Sequence, residues 1–94
     1  MKLKVGSIVR LKEYCLKNQV GTLGVVYEEY YLDNDPGYSI IFENGEYDGF
    51  SPDEQGNIIE RIGYDPKLGN YKFKNVMQLS DDFRKGLFND AFKK

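Results

Sequence analysis

Residues 21–50 read GTLGVVYEEYYLDNDPGYSIIFENGEYDGF, two runs of β-branched and aromatic residues each closed by turn chemistry. Leu23 to Tyr31 predicts a strand, with Leu23, Val25 and Tyr27 on one face and Val26, Glu28 and Tyr30 on the other. Apolar residues occupy both faces at its start and one face later, which predicts a long, bent strand. Gly24 is expected where a neighbour approaches the backbone closely. Asp33-Asn34-Asp35-Pro36-Gly37 predicts a turn. It does not fit a calcium loop: counting from Asp33, the fifth, sixth and twelfth positions are Gly37, Tyr38 and Asn44, where that loop needs an oxygen ligand, a glycine and a glutamate. Tyr38 to Glu43 predicts a third strand. Asn44-Gly45 then predicts a type I′ hairpin, since both of its central residues need positive φ. Glu46 to Phe50 is the fourth strand.

Upstream, Val9 and Leu11 alternate with Arg10 and Lys12, so residues 4–12 predict a first strand, followed by a loop over residues 13–20. Downstream, Ser51-Pro52-Asp53-Glu54 combines an N-cap, a proline and a capping-box glutamate, and predicts a short helical turn near 51–54. Ile58 to Ile62 predicts a fifth strand and Tyr64 to Asn70 a loop. Residues 71–79 are ambiguous: Tyr71 and Phe73 alternate as in a strand, while Val76, Leu79 and Phe83 are spaced as in a helix. A sixth strand to about Gln78 is favoured. Ser80 then caps a C-terminal α-helix near 80–91, with Asp81 and Asp82 in its first turn and Lys93 and Lys94 at its end. Phe83, Leu87 and Ala91 form its apolar stripe, and Phe88 and Phe92 widen it. Gly86 inside that helix costs about 1 kcal/mol relative to alanine.

The 94 residues predict a single domain over 1–94, a barrel over 4–79 with the helix over 80–92. A domain of this size buries only roughly 60–65% of its unfolded surface. The aromatic content rests on eight Tyr and six Phe without Trp, and tyrosine suits a thin sheet wall because its ring packs while its hydroxyl reaches water. The lone Cys15 forms no intrachain disulfide, suits a reducing compartment and reads as a small half-buried residue. No apolar run approaches the ~20 residues of a membrane span, and no apolar stretch follows Met1-Lys2. A cytoplasmic protein with no membrane partner is expected.

Histidine is absent, which removes the commonest general base and the commonest metal ligand. Asp48, Asp53 and Glu54 stand without a second Cys or a phosphate-binding glycine loop and read as a solvated face. The expectation is therefore a noncatalytic chain with no cofactor and no metal. Charge is segregated: residues 1–17 hold five bases and one acid, residues 18–60 ten acids and no Lys or Arg, residues 61–94 eight bases and four acids. Acidic and basic surfaces of one small domain select opposite partners.

Strand, long loop, bent strand, hairpin, strand, helical turn and strand, over residues 4–62, resembles the SH3-like barrels and predicts a mainly β, five- to six-stranded barrel. Gly21-Thr22-Leu23-Gly24-Val25-Val26 looks like the turn-and-strand core of KOW-type domains. Val5-Gly6-Ser7-Ile8-Val9 is similar to their opening strand, and Phe42-Glu43-Asn44-Gly45 to the hairpin of Tudor-like barrels. The whole also looks like small bacterial proteins that carry such a barrel.

The resemblance implies RNA or protein partners. A phosphate backbone needs Lys and Arg on the contacting surface, and residues 18–60 have none. A nucleic-acid face would therefore use Lys4, Arg10, Lys12, Tyr14 and Lys72, the tyrosine stacking beside the charges. The leading expectation is a protein partner. Tyr30, Tyr31, Tyr38 and Tyr47 with Asp48 would form an acidic aromatic face for a basic or proline-rich segment. Phe88 and Phe92 are candidates for self-association, which leaves a monomer or a weak homo-oligomer.

Overall fold

The computed structural model describes residues 3–15, 17–51 and 58–93. Five strands form: β1 (Ser7–Leu11), β2 (Leu23–Leu32), β3 (Asp35–Phe42), β4 (Tyr47–Phe50) and β5 (Ile59–Tyr64). A 3-10 turn over Pro66–Leu68, helix α1 (Val76–Arg84) and a 3-10 turn over Ala91–Lys93 complete the chain. The strands make one antiparallel sheet in the order β4-β3-β2-β1-β5. Among the described residues no ladder joins β4 to β5, so the sheet is open. The helical turn expected near 51–54 falls largely on residues 52–57, outside the described residues.

The centre of the sheet is buried on both faces, which explains the unbroken apolar runs of its central strands. Val9, Leu11, Val26, Tyr38, Ile40, Phe42, Phe50 and Ile59 cluster with Leu3 on the inner face. Ile8, Val25, Tyr27 and Ile41 point to the outer face, where Leu68, Leu79, Phe88 and Ala91 cover them. A Cβ added at Gly24 would lie 2.8 Å from atoms of both Ile40 and Phe42, so this glycine is where inner-face side chains cross the strand.

One irregularity in β2 decides which side chains share a face. Val26 pairs with Ile40, but the next pair is Glu28 with Ser39, so Tyr27 is an extra residue in the ladder. Such a bulge bends the strand and shifts its alternation by one. Strict alternation would put Glu28 and Tyr30 opposite Tyr27. The register puts them on the same side: Glu28 stands against Ser39 and Tyr30 against Gly37, and both partners share the face of outward-pointing Ile41.

Both hairpins differ in detail from the turns expected of them: the first is shorter than residues 33–37, and the second is not type I′. Asp33 and Asn34 have φ of 50° and 72° and connect the paired Leu32 and Asp35, a two-residue loop of the primed kind. Pro36 and Gly37 are therefore not turn residues but part of β3. The last pair of β3 with β4 is Tyr38 with Phe50, so Pro36 lies beyond that ladder, at a place where no donor is required. At Asn44-Gly45 only Gly45 has positive φ, +88°. Gly45 N–H donates to Phe42 O and Phe42 N–H to Glu46 O, both at 2.8 Å. This is a three-residue loop ending in a left-handed glycine, and the glycine rather than the pair sets it.

The C-terminal segment differs most from expectation. Residues 71–75 form no strand, and the helix starts ahead of Ser80, which was expected to cap it. Asn75 is the cap: its Oδ1 accepts from Gln78 N–H at 2.8 Å, while Gln78 Oε1 accepts from Lys74 N–H at 2.8 Å. Gly86, with φ +85°, ends the helix. Gly86 N–H donates to Phe83 O and Leu87 N–H to Asp82 O, each at 3.1 Å, the paired bonds of a Schellman stop. Beyond it the chain turns so that Phe88 and Ala91 become buried, and Phe92 half-buried, on the outer sheet face. Tyr71 and Phe73 alternate because an extended strap has period two even without a ladder. Phe73 packs on Tyr27 with ring centroids 5.1 Å apart, and Tyr71 on Phe88 at 5.4 Å.

Candidate binding face

The C-terminal strap covers the half of the outer sheet face that carries Ile8, Val25 and Ile41. The other half, toward the far ends of β2, β3 and β4, is left to Tyr27, Glu28, Tyr30, Ser39 and Tyr47. Pairing puts Tyr47 opposite Ile41 and Gly49 opposite Ser39, so these residues share one surface. Tyr30 lies flat on it: a Cβ at Gly37 would fall 2.4 Å from the Tyr30 ring, and one at Gly49 would fall 2.7 Å from its hydroxyl. Two glycines on adjacent strands thus make the floor for one tyrosine.

Polar atoms converge beside that ring. Ser39 Oγ donates to Glu28 Oε1 at 2.9 Å, and Ser39 also bonds the Tyr27 hydroxyl. Glu28 is half-buried. Tyr27 is 4% exposed. Burial foremost pushes its hydroxyl pKa up to about 12, the bond to Ser39 opposing and the charges of Glu28 and Asp48 adding to the rise. The Asp48 carboxylate takes the Gly49 N–H at 2.8 Å. Tyr47 is 41% exposed at the rim.

The five residues expected to share an acidic aromatic face are divided by the sheet. Tyr30 and Tyr47 are on the outer surface. Tyr38 points inward and is buried, and its pKa is raised by burial first and by Glu29 second. Tyr31 and Asp48 sit opposite Pro36 and Ile40 and belong to the inner side. Tyr31 is exposed and donates to Glu29 Oε1 at 2.6 Å, the bond that chiefly raises its pKa. Tyr27, Glu28 and Ser39 were not among the expected site residues. Their signal was present only as an alternation that the bulge shifts.

Two of the basic candidates have local partners. Arg10 bonds Glu60 across the β1–β5 pair, its Nε at 2.8 Å and its Nη2 in the same carboxylate. Lys4 Nζ stands 4.1 Å over the Tyr64 ring. Lys12, Tyr14 and Lys72 are exposed. Phe88 is 1% exposed and turned into the core, so its ring does not form a surface, and Phe92 is half-buried against Phe83. A shallow groove of about 310 Å³ runs along α1 between Val76, Met77, Ser80, Asp81 and Arg84. Among the described residues, no group of three or more acidic or Cys side chains is placed to hold a metal ion, and no helix is long and apolar enough to cross a membrane. Comparisons with protein-family models, with curated proteins and with solved structures returned no match.

Proposed function

We propose that this chain is a noncatalytic SH3-like binding module that takes a basic segment of another protein. A long β1–β2 connection, two tight hairpins and a first strand held between β2 and β5 suit an SH3-like barrel. The observation that carries the functional reading is the outer surface of the β2–β3–β4 meander. There Glu28, Tyr30 and Tyr47 stand together, within a stretch, residues 18–60, that holds ten acids and no Lys or Arg. Tyrosine offers large, stiff contact area, and a carboxylate field draws cations and repels phosphate. A cytoplasmic setting and a monomeric or weakly self-associating chain fit this role.

RNA binding through the basic N-terminal strand is the weaker reading, because Arg10 is engaged by Glu60 and Lys4 by Tyr64. An amide-shift titration separates the two. A lysine- and arginine-rich peptide is expected to shift residues 27–30, 39 and 47–49, with the response fading as salt rises. Mixed-sequence RNA is expected to shift nothing. RNA-induced shifts at Lys4, Arg10, Lys12 and Tyr14, with a silent meander, would reverse the assignment.

A further inference from the structure

Within that surface, and resting on its assignment to a basic partner, we infer that the docking point is a seat for one arginine side chain of the partner protein. Three observations converge on it. Glu28 is half-buried, its described bond comes from the neutral Ser39 hydroxyl, and the four described ion pairs all lie elsewhere, on β1–β5 or in the C-terminal segment. A partly desolvated carboxylate beside a neutral donor gains most from a cation that brings hydrogen bonds of its own. Tyr30, two residues from Glu28 on the same face of β2, is pressed flat onto Gly37 and Gly49, and the exposed Tyr47 stands on the same surface. A planar cation can lie along such rings and fork onto the carboxylate at once.

Those requirements separate guanidinium from ammonium. Arginine is planar, weakly hydrated, stacks on aromatic faces and bonds carboxylates through two parallel N–H groups. Lysine brings a compact, strongly hydrated charge that uses the carboxylate but not the rings. The wider acidic field steers either cation toward the meander; the seat distinguishes them. The strap borders this surface, where Phe73 packs on the Tyr27 ring with centroids 5.1 Å apart.

Two peptides test this, Gly-Ser-Arg-Gly-Ser-Arg-Gly-Ser and the same sequence with lysine at both arginines, each titrated into the full chain by amide shifts and calorimetry. The arginine peptide is expected to bind about tenfold more tightly and to shift residues 28, 30, 39 and 47. Glu28→Gln and, separately, Tyr47→Ala are expected to erase most of that preference while the thermal transition of the unliganded chain stays cooperative. Asp33→Asn, in the distant turn, is expected to leave it intact. Equal affinity for both peptides at these residues would overturn the arginine seat and leave the basic-partner reading standing. Shifts confined to Tyr31, Asp33 and Asp35 would do the same by moving the contact to another place. Silence toward both peptides would overturn both readings.

Discussion

Replacing Gly37 by alanine tests whether Tyr30 is held on a glycine floor. A Cβ at this position would sit 2.4 Å from Tyr30 Cε2 and Cζ and 2.7 Å from its hydroxyl oxygen, well inside carbon–carbon contact distance. The backbone is not the obstacle, since Gly37 is not among the residues with positive φ and lies in a paired strand. The ring must lift, and the seat beside Glu28 must deform with it. Overpacking of this kind costs about 1–3 kcal/mol. In a domain of this size that lowers the thermal midpoint by about 4–8 °C per kcal/mol.

The decisive assay is a double-mutant cycle measured by urea or thermal unfolding. Gly37→Ala is made in the natural chain and again in a Tyr30→Ala background. With the ring removed, the clash has no partner, and alanine is the better strand residue of the two. The cost should fall to near zero or become a small gain, a coupling of about 1–3 kcal/mol. The arginine peptide should lose affinity for Gly37→Ala in parallel. An equal penalty in both backgrounds would refute the reasoning, because Gly37 would then be required by the backbone and not by Tyr30.

Phe88→Ala should destabilise the chain by about 3–5 kcal/mol, the range for a buried aromatic ring; sedimentation of the natural protein unchanged by concentration would agree with its inward placement. Asn75→Ala should cost about 1 kcal/mol through loss of the helix cap while Ser80→Ala stays within a few tenths, and the opposite ranking in chemical unfolding would restore Ser80 as the helix start. Tyr27 adds pH dependence only at high pH. Below its ordinary value of 10.0 it is protonated in both folded and unfolded chains; between there and about 12 the unfolded chain ionises first, so stability falls as pH rises through that window. Tyr27→Phe should flatten the fall, measured as unfolding free energy against pH from about 9 to about 12, and an unchanged slope would assign the effect to other tyrosines.

Much of the fold was legible because local chemistry and tertiary packing agree. Five strands, a turn beginning at Asp33 and the close crossing at Gly24 all stem from residue type and alternation. The C-terminal segment was not legible, since two signals there point both ways. Tyr71 and Phe73 alternate for an extended strap as they would for a strand, and only the lack of a described ladder partner tells them apart. Ser80 and Asn75 are both good caps, and packing of Leu79 against the outer sheet face selects the earlier start. Gly86, a cost to a longer helix, is what ends the shorter one.

The candidate site divides along the same line. Its charge and its tyrosines are properties of the sequence: a stretch without Lys or Arg is acidic in any fold, and tyrosines spaced along strands line a sheet. Which of them stand together was settled by one extra residue in the β2 ladder. The bulge at Tyr27 turns Glu28 and Tyr30 onto the outer face, sends Tyr31 to the inner side, and so pairs the half-buried carboxylate with the ring on the glycines. Alternation has period two, and a shift of one exchanges the faces. The shift is set by how β2 pairs with β3, a cross-strand register that alternation within β2 does not encode, and therefore only the folded structure could decide it.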